Sequence, residues 1–221
     1  NKICKSLELV LDITWLGYSA MRLRTRNAAI VIDPTDKSSG VDMARPTGDI
    51  VLISRDHIHH NFVNGVKGTP FVVSGPGEYE VGGVQIQGIR SRWVTSQEDL
   101  PEPTTLYILQ AEDMKVVYLG GLNENPDPRQ IQVCSNADIL IVPIALTDGL
   151  NPQDSARIAR SLEPKIVIPV GYPDEQKKKD DALLSFIGEM GVDVEEAVQR
   201  LNLQRRSIGD KNRIALLHSR G

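Results

Sequence analysis

The strongest constraint on the fold is a series of about ten short apolar runs, rich in β-branched residues and cut apart by Gly, Pro and Asp. They read LVLDITWL, AAIVIDP, DIVLIS, PFVVSG, VGGVQIQGI, TTLYILQA, KVVYLGG, ADILIVPI, KIVIPV and RIALLH. Val, Ile and Thr are stiff at χ1 and pack well on a pleated surface, so runs of this kind bounded by turn residues predict strands. ILIVPI and IVIPV are apolar throughout, as expected of strands covered on both faces. Helical periodicity is confined to the C-terminal third. In NPQDSARIARSLEP, Ala156, Ile158, Ala159 and Leu162 form one stripe, with Asp154 near the start and Pro164 closing it. In KKKDDALLSFIGEMG, Leu183, Leu184, Phe186, Ile187 and Met190 mark a buried face, Gly191 the stop, and Lys177 to Lys179 a solvated start. VEEAVQRLN is a weaker third helix. Many strands followed by strand–helix–strand–helix predict a layered α/β domain.

The chain has 221 residues, which suits a single domain over 1–221. A net charge of -4 gives no electrostatic footprint for nucleic acid, and no apolar run approaches the ~20 residues of a membrane span. Cys4 and Cys134 lie outside any CxxC pair and read as free thiols in a reducing cytoplasm. The first residue is Asn1, so a trimmed N-terminus stays open, as does a homo-oligomer.

The chemistry concentrates in ISRDHIHHN. Three of the four histidines, His57, His59 and His60, fall within four residues directly after an apolar run. A strand feeding a histidine cluster is a frequent origin of a metal site. His57 and His59 would share a side in an extended loop, His57 and His60 a face in a helix.

In order along the chain, DITWLGYSAMRLRT, AIVIDP, DIVLISRDHIHHNF, GPGEYEVGGVQIQGIR, ADILIVPI and LEPKIVIPVGY resemble the metallo-β-lactamase superfamily, and within it the small lactonase-like metal-dependent hydrolases. The resemblance covers about Leu9 to Tyr172. It implies an αββα sandwich, two mixed β-sheets flanked by helices, with the metal site at one edge. It also implies a His-x-His-x-Asp-His loop, a later His, an Asp and a final His holding two divalent metals that activate a water.

Laid over this chain, that pattern keeps His57 and His60 as ligands and Asp33 in the IDP turn. It puts His59 at the Asp, and Arg55, Trp93, Gly121 and Gly171 at vacated ligand positions. Tyr18 and Tyr118 stand where the family has histidines. Glycine supplies no donor and indole no lone pair. An arginine beside a dication is unfavourable by ~4 kcal/mol per unit charge at ~4 Å and an effective dielectric near 20.

Two readings of the histidine loop follow: a remnant metal site on His57, His59, His60 and Asp33, or a loop whose histidines only hydrogen-bond locally. Arg55, Arg90, Arg92 and Tyr18 are expected near one pocket, with Tyr118 beside it. There they would hold a phosphorylated or other anionic ligand, or Arg55 would pair with Asp33 or Asp56 and fill the vacated space. Trp93 and Tyr118 are expected to pack into the same space. GPGEYEVGG reads as a turn and hairpin, His218 as structural, and Ser19, Ser54 and Ser74 lack the context of a serine hydrolase. The leading expectation is a non-catalytic binding or assembly protein with no cofactor and an unknown small molecule or protein as partner, neither nucleic acid nor membrane. The alternatives are a hydrolase with a rearranged mononuclear site (one zinc or other divalent metal on His57, His59 and His60) and an anion-binding protein using Arg55, Arg90 and Arg92.

Overall fold

The computed structural model describes residues 9–94, 101–147, 149–173 and 181–220. Lys177 to Lys179 and Cys4 lie outside these described residues. The apolar runs become two sheets. The first contains β1 (Leu11–Gly17), β2 (Ala20–Arg24), β3 (Ala29–Ile32), β4 (Ile50–Leu52) and β5 (Phe71–Val73). The second contains β6 (Gly77–Val81), β7 (Val84–Trp93), β8 (Glu102–Ala111), β9 (Met114–Tyr118), β10 (Ile139–Pro143) and β11 (Ile166–Val170). Three short strands, β12 (Asp193–Val194), β13 (Leu201–Leu203) and β14 (Arg213–Ile214), extend them. The strand orders are β13-β1-β2-β3-β4-β5 and β12-β14-β11-β10-β9-β8-β7-β6. Both sheets are mixed: β1 to β3 pair antiparallel and β3 to β5 parallel, while β6 to β9 pair antiparallel and β9 to β11 parallel.

Side chains alternate across each strand, so β3 feeds two cores. Ile30 and Ile32 join the large core that also takes in Tyr107, Val116 and Ile141 of the other sheet. Val31 faces outward into a smaller cluster with Leu16, Val51, Met43 and Val66. β10 and β11, apolar on both faces, are fully buried along their length.

Helix α1 (Pro128–Cys134) starts on an Asp127–Gln130 capping box, with proline in its first turn, where the missing N–H has no partner to lose. Asn151 caps α2 (Pro152–Ser161), and Ser155 Oγ donates to the Pro143 carbonyl at 2.9 Å, seating the helix on β10. α3 (Asp181–Met190) buries Phe186 and Met190, but Leu184 is exposed, contrary to its expected place on the buried stripe. The expected helix over VEEAVQRLN is absent. That stretch is extended, because β12 pairs with β14 and β13 with β1, and ladder bonds outweigh a weak local helix preference. The β6–β7 hairpin forms where GPGEYEVGG predicted one, turning at Gly82 and Gly83. None of the helices among the described residues is long and apolar enough to cross a membrane.

The sheets are tied together at one end of the sandwich. Tyr107 of β8 donates to the Ile53 carbonyl at 2.7 Å, Thr104 Oγ1 to the Ser54 carbonyl at 2.9 Å, and Arg55 bridges to Thr104. These bonds bring the carboxyl end of β4 against β8.

Candidate metal-binding site

Asp33 follows β3 at φ 46, in the left-handed region that few non-glycine residues occupy. Its amide donates to the Leu52 carbonyl at 2.8 Å, and its side chain is fully buried. Four donors meet it. The Ser54 amide reaches Oδ1 at 2.7 Å; Ser54 Oγ at 2.5 Å, the Tyr118 hydroxyl at 2.6 Å and His60 Nδ1 at 2.8 Å reach Oδ2. Because the carboxyl oxygen accepts, the His60 proton sits on Nδ1 and a neutral ring keeps its lone pair on Nε2. Burial, then the nearby Asp33 charge, pushes the Tyr118 hydroxyl well above the usual tyrosine range, so it stays a donor.

The histidine loop turns back on itself: the His60 and Asn61 amides donate to the His57 carbonyl at 2.7 and 2.9 Å. That turn gathers the three rings, His57 lying 4.9 Å from His59 and 6.0 Å from His60 between centroids. Tyr18, at φ 51 in the β1–β2 turn, sets its ring edge-on to His59 at 5.3 Å and His60 at 5.9 Å. Two residues in left-handed backbone at one site is the kind of strain that functional sites retain. Partial burial, then the charge of Arg55, lowers the His57 pKa below its ordinary 6.5, which favours the neutral, lone-pair-bearing ring. His59 is engaged differently: its Nε2 lies 3.0 Å from Ser38 Oγ.

Arg55 pairs with neither Asp33 nor Asp56, as expected from the sequence, but with Glu102, Nε and Nη2 donating to one carboxylate oxygen at 3.0 and 2.8 Å. Its guanidinium lies 4.0 Å over the Trp93 ring, and Gly121 backs the stack, where a Cβ would come within 3.4 Å of Trp93. Asp56 instead accepts from Asn61. Glu102 therefore offsets the cation that counted against a bound dication. Arg90 and Arg92 do not join the pocket. On β7, Ser91 and Trp93 point inward, so Arg90 and Arg92 are exposed on the opposite face, where Arg92 donates to Glu124. Gly171, at φ 74, donates to the Tyr18 carbonyl at 3.0 Å.

The donors present do not match a dinuclear site, since positions 55, 93, 121 and 171 bring no metal ligand. They fit a single ion in kind: three imidazoles, one of them braced by Asp33 in the way carboxylates brace ligating histidines. As placed, they are not closed around one point, and among the described residues no group of three or more His, Cys, Asp or Glu side chains is spaced to hold an ion.

The sequence profile of the beta-lactamase superfamily domain matches residues 12–171. The chain belongs to that superfamily. Among curated relatives, a UPF0173 metal-dependent hydrolase of Lysinibacillus sphaericus is 24% identical over 73% of this chain and 85% of its own length. Another UPF0173 metal-dependent hydrolase, from Methanopyrus kandleri, is 22% identical over 85% and 96%. Among solved structures, a Thermotoga maritima protein assigned as a Zn-dependent hydrolase of the metallo-β-lactamase superfamily superposes with a TM-score of 0.73. It is 25% identical, over 94% of this chain and 98% of its own.

The expected αββα sandwich is thus the fold of a superfamily member. The expectation of a non-catalytic binding or assembly protein is corrected by the same findings: relatives matched over most of their length are named metal-dependent hydrolases, which favours a hydrolase. They also count against reading Arg55, Trp93, Gly121 and Gly171 as marks of a dismantled site.

Proposed function

We propose that this superfamily member is a hydrolase dependent on one divalent metal, with a rearranged mononuclear site on the loop His57, His59 and His60. The observation that carries the reading is the buried Asp33–His60 pair, which fixes the His60 tautomer with Nε2 available, beside a His57 whose pKa is held low. His59, drawn off Ser38, would be the third ligand. A bound divalent ion would supply Lewis acidity and a water acidic enough to act as nucleophile near neutral pH.

The chain's own residues do the rest. Ser54 and Tyr118 hold Asp33, Asp33 holds the Nδ1 proton of His60, and Tyr18 walls the loop from the other side. Arg55, held by Glu102 and stacked on Trp93, would stabilise the part of the negative charge developing on the substrate that Glu102 leaves uncompensated. The same reading puts the protein in a reducing cytoplasm, where the buried Cys134 thiol stays reduced.

The test is elemental analysis of protein expressed with zinc, manganese and nickel and then dialysed against a weak chelator, alongside lactone and phosphodiester hydrolysis. One retained ion per chain, lost together with turnover in His57→Ala and His60→Ala, is the expected result. Unchanged uptake in both variants would eliminate the mononuclear site.

A further inference from the structure

Against Tyr18 lies a cavity of about 360 Å³, between the β1–β2 turn, the Ser39–Val41 stretch, the chain following β10 and β11, and Ser219. Tyr18, Val41, Ala145, Tyr172 and Pro173 wall it, and Trp15 is sealed behind Tyr172 with 4.9 Å between ring centroids. Among the described residues, none of those lining it is Asp, Glu, Lys, Arg or His. Ser39 Oγ, one of its few side-chain hydroxyls, is already committed to the Asp36 carbonyl at 2.7 Å.

Two connections tie this cavity to the histidine loop. The Tyr18 ring that walls it stands edge-on to His59 and His60. Ser38, which bonds His59 Nε2, is the residue before Ser39 of the cavity wall. Tyr18 is also fixed in place, its carbonyl accepting from both Trp15 Nε1 at 2.8 Å and the Gly171 amide at 3.0 Å.

Among the described residues the wall offers no charged side chain to pair with a carboxylate, phosphate or ammonium group, which favours an uncharged ligand against it. Tyrosine rings in its wall favour a flat apolar group packed edge-to-face or offset. Its volume is close to the ~300 Å³ lower limit of ligand pockets, enough for one ring and its linkage. We propose that the cavity receives an uncharged aromatic group of the substrate, leaving the bond to be hydrolysed on the histidine side of Tyr18. This rests on the hydrolase reading for its chemistry, whereas the binding of the aromatic group can be measured without turnover.

The first measurement is therefore a titration of the full chain with benzyl alcohol, followed by amide chemical shifts. Saturable shifts of Gly40, Ala145 and Gly171 are expected in the wild type, and their loss in Ala145→Leu, which fills the cavity. No saturable response at those amides overturns the assignment, as does an unchanged response in a folded Ala145→Leu. Should Ala145→Leu fail to fold, Val41→Leu takes its place under the same criteria.

The second measurement compares hydrolysis of benzyl acetate and methyl acetate with added zinc or manganese. A preference for the benzyl ester of roughly tenfold in kcat/KM, abolished by the filling variant, is expected. Equal kcat/KM for both esters overturns the proposal. If benzyl alcohol shifts the cavity amides while metal uptake is unchanged in His57→Ala and His60→Ala, the hydrolase reading fails and the aromatic pocket stands.

Discussion

His60 Nδ1 lies 2.8 Å from Asp33 Oδ2, with the His60 side chain 2% exposed and that of Asp33 fully buried. The pair links the end of β3 to the histidine loop, and Tyr118 adds the end of β9 from the second sheet. A structural bond and a ligand-orienting bond are thus one contact, so perturbing it should affect both stability and metal affinity.

For stability, His60→Ala removes a buried partner and leaves Asp33 with fewer donors and a void beside it. Losing a buried donor to the Asp33 carboxylate costs on the order of 1–3 kcal/mol, with the void left by the ring adding to it. His57 is only half-buried, and its ring accepts from the His59 amide at a long 3.3 Å. His57→Ala should therefore unfold at nearly the wild-type urea midpoint while His60→Ala unfolds much earlier. Equal losses in the two would contradict the division of roles between an anchored and an adaptable ligand.

Most of the sandwich was legible because β-branched runs bounded by Gly, Pro and Asp mark strands whatever they pack against. α1 was missed because Pro126 and Pro128 read as turn residues, and seven residues are too few to show a helical stripe. The histidine loop was also legible. The partners were not: Tyr118 reads as core in a strand, and only the docking of β9 against β3 makes its hydroxyl a donor to Asp33. Arg55 finds Glu102, 47 positions away, for the same reason. Arg90 and Arg92 were misplaced because alternation from Val84, Ile86 and Gly88 carries both inward, whereas the burial phase of β7 shifts by one residue before Ser91 and Trp93.

The exposure of both arginines gives a control. Arg90→Ala and Arg92→Ala, singly or together, should leave metal content and hydrolysis unchanged, because Arg92 engages Glu124 on the outer face and Arg90 is exposed there. Loss of uptake in the double variant would show that the outer face reaches the site.

Alkaline pH tests the buried tyrosines. Tyr118 and Tyr107 both have folded-state pKa values raised above 10, each by burial first and then by Asp33. The folded protein keeps these protons while the unfolded chain releases them, so stability is full below pH 10 and falls as pH rises beyond it. Each tyrosine contributes a slope of up to ~1.4 kcal/mol per pH unit there. Urea unfolding at pH 9, 10 and 11 should show this decline, with a shallower slope in Tyr118→Phe. The same substitution should cost about 1–3 kcal/mol at pH 7, because Asp33 loses a buried donor.

The last prediction concerns His57, whose pKa is lowered by burial first and by Arg55 second. Because burial is the larger cause, Arg55→Met should raise the His57 midpoint only part of the way back to 6.5. Proton competition for the ring then extends to higher pH, so the pH at which the loop releases its metal moves up in the variant. In the wild type, a His57 that protonates below 6.5 should retain metal at pH values where an ordinary histidine has lost it. NMR titration of the His57 ring proton, run beside metal content at each pH, checks both parts. A midpoint unmoved by Arg55→Met would mean that Glu102, paired with Arg55 at 2.8 Å, already cancels its charge at the ring. A release pH that moved without the midpoint would place Arg55 in direct contact with the bound water or substrate.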